Sequence, residues 1–195
     1  MEMHKLIKLI EQWAIERSLD KNGTVEGQLI KTAEEVAELI IGISKDDIDV
    51  IKDSIGDVFV TLVVGNLLSG CWEFYKMSDF TLQLSHRKKD LTPGDKFSLF
   101  KGLSANLKEL MFERDSFWIK EGYSTGAVGQ TICTLFWVSN YYKLNLTDCV
   151  ESAYREIANR KGRVIDGTFV KEDELIWIGK WKENMKDLLI YPVRN

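Results

Sequence analysis

Apolar residues recur at helical spacing from the start of the chain. Leu6, Ile7, Leu9, Ile10, Trp13 and Ala14 repeat every three to four positions, which predicts a first helix over residues 3–18. Residues 20–27 are polar with two glycines and read as a loop. A second helix is predicted over residues 28–43, with Ala33, Val36, Ala37 and Ile40 as its apolar stripe. After a polar break at 44–47, a third helix runs over 48–68 and is apolar nearly all round from Val58 onward, which predicts burial. Thr92 to Asp95 reads as a turn, followed by helices over 97–114 and 128–142. Thr147 or Asp148 can cap a closing helix that runs to about Lys161, with Val150, Ala153, Tyr154, Ile157 and Ala158 on its inner face and Gly162 as its stop. Asp166-Gly167 then gives a hairpin-like turn. The pattern predicts an all-α fold, a helical bundle in a single domain over 1–195, with residues 171–195 as a C-terminal extension.

The order of helices repeats. Residues 28–39 echo 98–110, and Ile55 to Leu62 echo Val128 to Leu135. Segment 71–143 therefore reads as inserted helices that form a degenerate copy of 28–68. Glu38 keeps an acidic counterpart in Glu109, whereas Glu35 meets Asn106 and Asp57 meets Gln130.

Composition narrows the class. Hydrophobic residues make up 45% of the 195 residues, enough for a packed core, and only 2 prolines interrupt the helical pattern. A net charge of -4 offers no electrostatic footprint for nucleic acid. Cys71, Cys133 and Cys149 are widely spaced and odd in number, which fits a reducing, cytoplasmic setting. The N-terminus turns amphipathic at once, with no signal peptide, and the run Val58 to Leu68 is too short to span a bilayer.

Candidate chemistry lies in two acidic clusters. Glu34, Glu35 and Glu38 fall opposite the predicted stripe of the second helix, where a solvated face also carries charge. Asp53 and Asp57 stand at the mouth of the buried third helix, and there a carboxylate is costly unless paired or metal-bound. Two such faces opposed make an all-oxygen site for Mg²⁺ or Mn²⁺. A buried ion pair from Lys31 or Lys52 is the structural alternative. His4 and His86 show no Glu-x-x-His spacing, which argues against di-iron and zinc sites. Neither a GxxxxGK[ST] loop nor a Gly-x-Ser-x-Gly elbow occurs.

These residues resemble the MazG-type all-α nucleoside-triphosphate pyrophosphohydrolases. That superfamily carries Glu-x-x-Glu on one core helix, matched here by Glu35 and Glu38, and Glu-x-x-Asp on the next, matched at its end by Asp57. Ser54 stands at the remaining acidic position, with Asp53 one residue earlier as a substitute ligand. Residues 1–70 resemble the first three helices of the small phage and bacterial members, and Leu144 to Gly162 and Val164 to Glu172 resemble their closing helix and tail, so the likeness covers roughly half of the chain. The resemblance implies Mg²⁺-dependent cleavage of a nucleoside triphosphate to the monophosphate and pyrophosphate. In that reading Glu35, Glu38, Asp57 and Asp53 hold the ion, and Glu34 or Glu35 takes a proton from water. Lys161, Asn159 and Arg160 meet the phosphates, and Tyr154 and Trp13 touch the nucleoside. A homodimer, or a pseudo-dimer within one chain, is the assembly it implies. Tyr154 reads equally as a core residue, a lone Trp on an apolar stripe such as Trp13 is more often core, and Gln28 could read a base edge. The rival expectation is an inactive relative serving as a nucleotide-binding or protein-interaction module.

Overall fold

The computed structural model describes residues 1–70, 74, 93–112 and 127–175. Cys71, His86, Thr92 and residues 176–195 lie outside the described residues, as do 113–126. The described residues are dominantly helical, as the period of the pattern predicts.

Helix α1 (Met3–Glu16) buries Leu6, Ile7, Ile10, Trp13 and Ala14. A single turn, α2 (Leu19–Asn22), occupies the predicted loop, with Leu19 tucked into the core. Thr24 then caps α3 (Val25–Lys45), its hydroxyl accepting the Gly27 N–H at 3.1 Å. The buried face of α3 is Leu29, Thr32, Val36, Leu39 and Ile43; of the predicted stripe only Val36 is buried, whereas Ala37 is exposed and Ala33 and Ile40 are half-buried. Thr32 makes the difference: its hydroxyl donates to the Gln28 carbonyl at 2.9 Å, so a polar side chain sits satisfied in the core and rotates the stripe.

Asp46 takes a left-handed conformation (φ 54°) and Asp47 caps α4 (Ile48–Ser69), closing a tight antiparallel hairpin of α3 and α4. Helix α4 is the central element. Ile51, Ile55, Val58, Phe59, Leu62 and Val63 are fully buried on several sides of it. It packs on α1, on α3 and on α7 (Leu146–Ala158). Gly56 permits the last contact, because a Cβ there would lie 2.5 Å from the Cys149 carbonyl oxygen. Helices α5 (Lys96–Phe112) and α6 (Ala127–Tyr141) form a second pair against α3 and α4.

The cap of α7 is Asn145, whose side chain accepts the Asp148 N–H at 3.2 Å, not Thr147 or Asp148. The helix stops at Ala158, and Gly162 opens a strand instead of merely ending the helix. Strands β1 (Gly162–Ile165) and β2 (Thr168–Lys171) pair antiparallel, Val164 opposite Phe169. Asp166 and Gly167 both have positive φ, 49° and 82°, as a two-residue hairpin of this hand requires. The turn docks on the start of α3, where the Thr24 N–H donates to the Gly167 carbonyl at 2.9 Å.

Candidate functional site

The hairpin of α3 and α4 sets residues of the two helices in opposed order. Equal steps back from the turn and forward from it meet, so Glu38 faces the level of Asp53, Glu35 that of Asp57, and Gln28 that of Val64. Asp53, Asp57, Val60 and Val64 are one face of α4. From Asp53 to Val64 that face runs about 16 Å at 1.5 Å per residue. It forms the floor of a cleft of about 340 Å³ whose acidic end holds Glu35, Glu38, Asp53 and Asp57. Its apolar end is built from Trp13, Leu19, Val64, Ile157 and Phe169, with Gln28 beside them. Glu156 of α7 and Arg160 just beyond its end supply one wall, and the β-hairpin closes another with Phe169 and Lys171.

The acidic end carries uncompensated charge. Asp57 is pushed up to about 7, first by burial and then by the Glu35, Asp53 and Glu156 carboxylates; the Arg160 guanidinium offsets only part of this. Burial, with Glu156 and Glu38 nearby, also raises Asp53. Burial raises Glu35 too, against the lowering effect of Lys31, whose ammonium lies 3.9 Å away. Asp53, Asp57 and Glu38 make no hydrogen bond or ion pair among the described residues. The donor set consists of hard carboxylate oxygens, the chemistry that suits Mg²⁺ or Mn²⁺. Like charges this close repel, and among the described residues no three of these groups converge closely enough to form a ready-made cage.

The candidate residues divide. Glu35, Glu38, Asp53, Asp57, Arg160 and Trp13 all line the cleft. Glu34 does not; it is exposed and pairs with Lys31. Tyr154 packs against the core outside the cleft lining. Asn159 and Lys161 line an outer depression, which shares Glu156, Arg160 and Lys171 with the cleft. Ser54 is 3% exposed and lies off the cleft face, so the departure from the acidic pattern falls inside α4's packing. Trp13 is both core and wall: 7% exposed, it donates its indole N–H to the Ile157 carbonyl at 2.7 Å and meets Phe169 edge-on at 5.4 Å.

Sequence reasoning passed over Glu156, Lys171 and Arg17. Arg17 lies 4.8 Å above the Trp13 ring and donates to the carbonyls of Ala158 and Arg160 at 3.1 and 3.0 Å. It thereby satisfies carbonyls left over at the end of α7 and holds the backbone of Arg160. The Trp13 and Arg17 pair at i, i+4 on α1 was the available signal.

Comparison with known proteins gives a narrow match. Over 63 residues the chain is 51% identical to an uncharacterized 18.2 kDa protein from the rep-hol intergenic region of Haemophilus phage HP1. The match covers 32% of this chain and 39% of that protein. No protein-family model and no solved structure matches the chain. Among the described residues no helix is long and apolar enough to cross a membrane.

Proposed function

We propose that this chain is a divalent-cation-dependent nucleoside-triphosphate pyrophosphohydrolase of the MazG type, cleaving between the α and β phosphates. The observation that carries the reading is the composition of one cleft, with four carboxylates from two antiparallel helices at one end, Glu35 and Asp57 half-buried and Glu38 and Asp53 exposed, and an aromatic, apolar seat at the other. The Glu-x-x-Glu and terminal Asp of the family pattern all belong to that acidic end.

Glu35, Glu38, Asp57 and Asp53 supply oxygens for Mg²⁺ or Mn²⁺. A cation bound there supplies charge neutralisation for the phosphates and makes water more acidic. The chain's own groups do the rest. Glu35, with its pKa raised by burial, would accept the proton of the attacking water. Glu34 is the weaker candidate for that role, because Lys31 engages it at the surface. Trp13, Phe169 and Leu19 exclude water around the base, and the Gln28 amide faces the same end. Arg160 brings positive charge beside the reacting phosphates.

The second reading is a relative that binds nucleotide without turnover, and buried Ser54 favours it, since one acid of the pattern is missing. A thermal-shift titration with nucleoside triphosphates and Mg²⁺, followed by phosphorus NMR of the products, separates the two. Monophosphate and pyrophosphate as first products support the enzyme. A shift without products supports the inactive relative, and orthophosphate with a nucleoside diphosphate refutes the mechanism.

A further inference from the structure

The cleft and the outer depression differ in charge. Six carboxylates against three cations line the cleft, so a polyanion entering it needs a metal ion. The depression balances three carboxylates with the three cations Arg160, Lys161 and Lys171. Arg160 and Lys171, together with Glu156, form the wall common to both: Arg160 follows the end of α7 and Lys171 ends β2. Both side chains lie beside the acidic end. Arg160 lowers the pKa of Asp53 and Asp57, and Lys171 that of Glu35 and Asp53, against the effect of burial. Among the described residues each has a surface partner to give up, Glu156 for Arg160 and Glu174, 3.9 Å away, for Lys171.

A nucleotide seated with its base at Trp13 has its α phosphate among the carboxylates. The chain beyond it must then leave the acidic end, and among the described residues the shared Arg160–Lys171 wall opens onto the depression. We infer that the β and γ phosphates of the substrate occupy this outer depression, with Lys171 of the hairpin as their principal partner alongside Arg160, and that Lys161 lies at its outer rim. This rests on the pyrophosphohydrolase reading and adds a binding residue to it, taken from an element that carries none of the acidic pattern.

The test compares Lys171→Met, Lys171→Arg and Lys161→Met with the unchanged protein, using inorganic pyrophosphate, a triphosphate with a non-cleavable α,β-imido link and the matching monophosphate, each with Mg²⁺. Lys171→Met is expected to weaken pyrophosphate and the imido triphosphate about 10-fold or more and the monophosphate less than about 2-fold, with Lys171→Arg restoring most of the affinity. Turnover KM should rise in parallel, with kcat changed less. Equal losses for monophosphate and pyrophosphate would show a structural role and overturn the inference, as would full affinity in Lys171→Met with the loss falling on Lys161→Met. If the unchanged protein binds pyrophosphate through Lys171 but releases no products, the hydrolase reading fails while this assignment stands. If it turns over and Lys171→Met is silent, the reverse holds.

Discussion

Trp13 Nε1 donates to the Ile157 carbonyl at 2.7 Å, and this bond ties α1 to the last turn of α7 directly under the apolar end of the cleft. The same carbonyl also accepts the Arg160 N–H at 2.8 Å, so it keeps a partner if the indole is lost. Trp13→Phe should therefore cost only about 1 kcal/mol of stability, whereas Trp13→Ala, which also empties a buried ring site, should cost roughly 3–5 kcal/mol. Urea denaturation of both variants checks the difference. Equal losses would mean that the hydrogen bond, not the ring, holds the two helices together.

Asp57 sets a pH dependence. Its carboxyl is raised from the ordinary 3.8 to about 7 in the folded protein, by burial first and then by Glu35, Asp53 and Glu156. Between those values the folded state keeps a proton that the unfolded chain has released, so stability falls as pH rises through the window and levels off above it. Asp57→Asn should remove most of that slope and stabilise the protein by roughly 1–3 kcal/mol at about pH 8 with chelator present, while abolishing turnover. Denaturation midpoints at a series of pH values, with and without Mg²⁺, provide the measurement. Mg²⁺ should flatten the slope of the unchanged protein and leave the variant unaffected. A variant with the same pH slope as the unchanged protein would show that Asp57 is not the strained group.

The helical hairpin and its acids were legible because they repeat locally: carboxylates at i, i+3 and i+4 on one segment, then at i, i+4 where the next turns apolar. The walls were not. Glu156 reads as an ordinary solvated charge on an amphipathic helix, and Lys171 as a polar residue after a turn; only the packing of α7 against α4 and the docking of the hairpin on the start of α3 bring them to the cleft. Lys161 shows the converse. Continued helix would put it on the face of Ile157, but the chain leaves the helix after Ala158 and the residue swings to the outer depression. Thr32 misled the stripe of α3 because its buried hydroxyl is satisfied within its own helix.

The hairpin's seat is made by two glycines. A Cβ on Gly27 would lie 2.6 Å from Thr168 Oγ1 and 2.8 Å from the Gly167 carbonyl oxygen, and Gly167 itself (φ 82°) faces Thr24. Gly167→Ala adds left-handed strain to that collision and should cost about 1–2 kcal/mol locally. The expected result is faster amide exchange over Arg163 to Lys171, with α4 unchanged, and a higher KM because Phe169 and Lys171 leave the cleft wall. Gly27→Ala should act in the same direction. Unchanged exchange in both variants would show that the turn is held by something other than this contact.

The repeat read from the sequence sets Glu38 against Glu109, and the surroundings of the two acids differ. In the first pair Glu38 shares the cleft with Glu35 and Asp57. In the second, the counterpart of Glu35 is Asn106, which is 4% exposed and donates through Nδ2 to Thr134 Oγ1 at 2.8 Å. That neutral bridge satisfies both side chains and stitches α5 to α6 without a cation, so the second pair has packing where the first has charge. Glu109 is left without an acidic neighbour from Gln130 or Asn106, and a lone carboxylate is a poor site for a hard divalent ion. Glu38→Gln should therefore lower Mg²⁺-dependent turnover by at least about 100-fold, whereas Glu109→Gln should leave it within about 2-fold. Asn106→Leu should instead destabilise the fold by roughly 1–3 kcal/mol, because Thr134 loses its buried partner. Steady-state rates and thermal midpoints for the three variants separate the roles. A loss of activity in Glu109→Gln comparable to that of Glu38→Gln, with the midpoint unchanged, would place chemistry in the second pair and defeat the assignment.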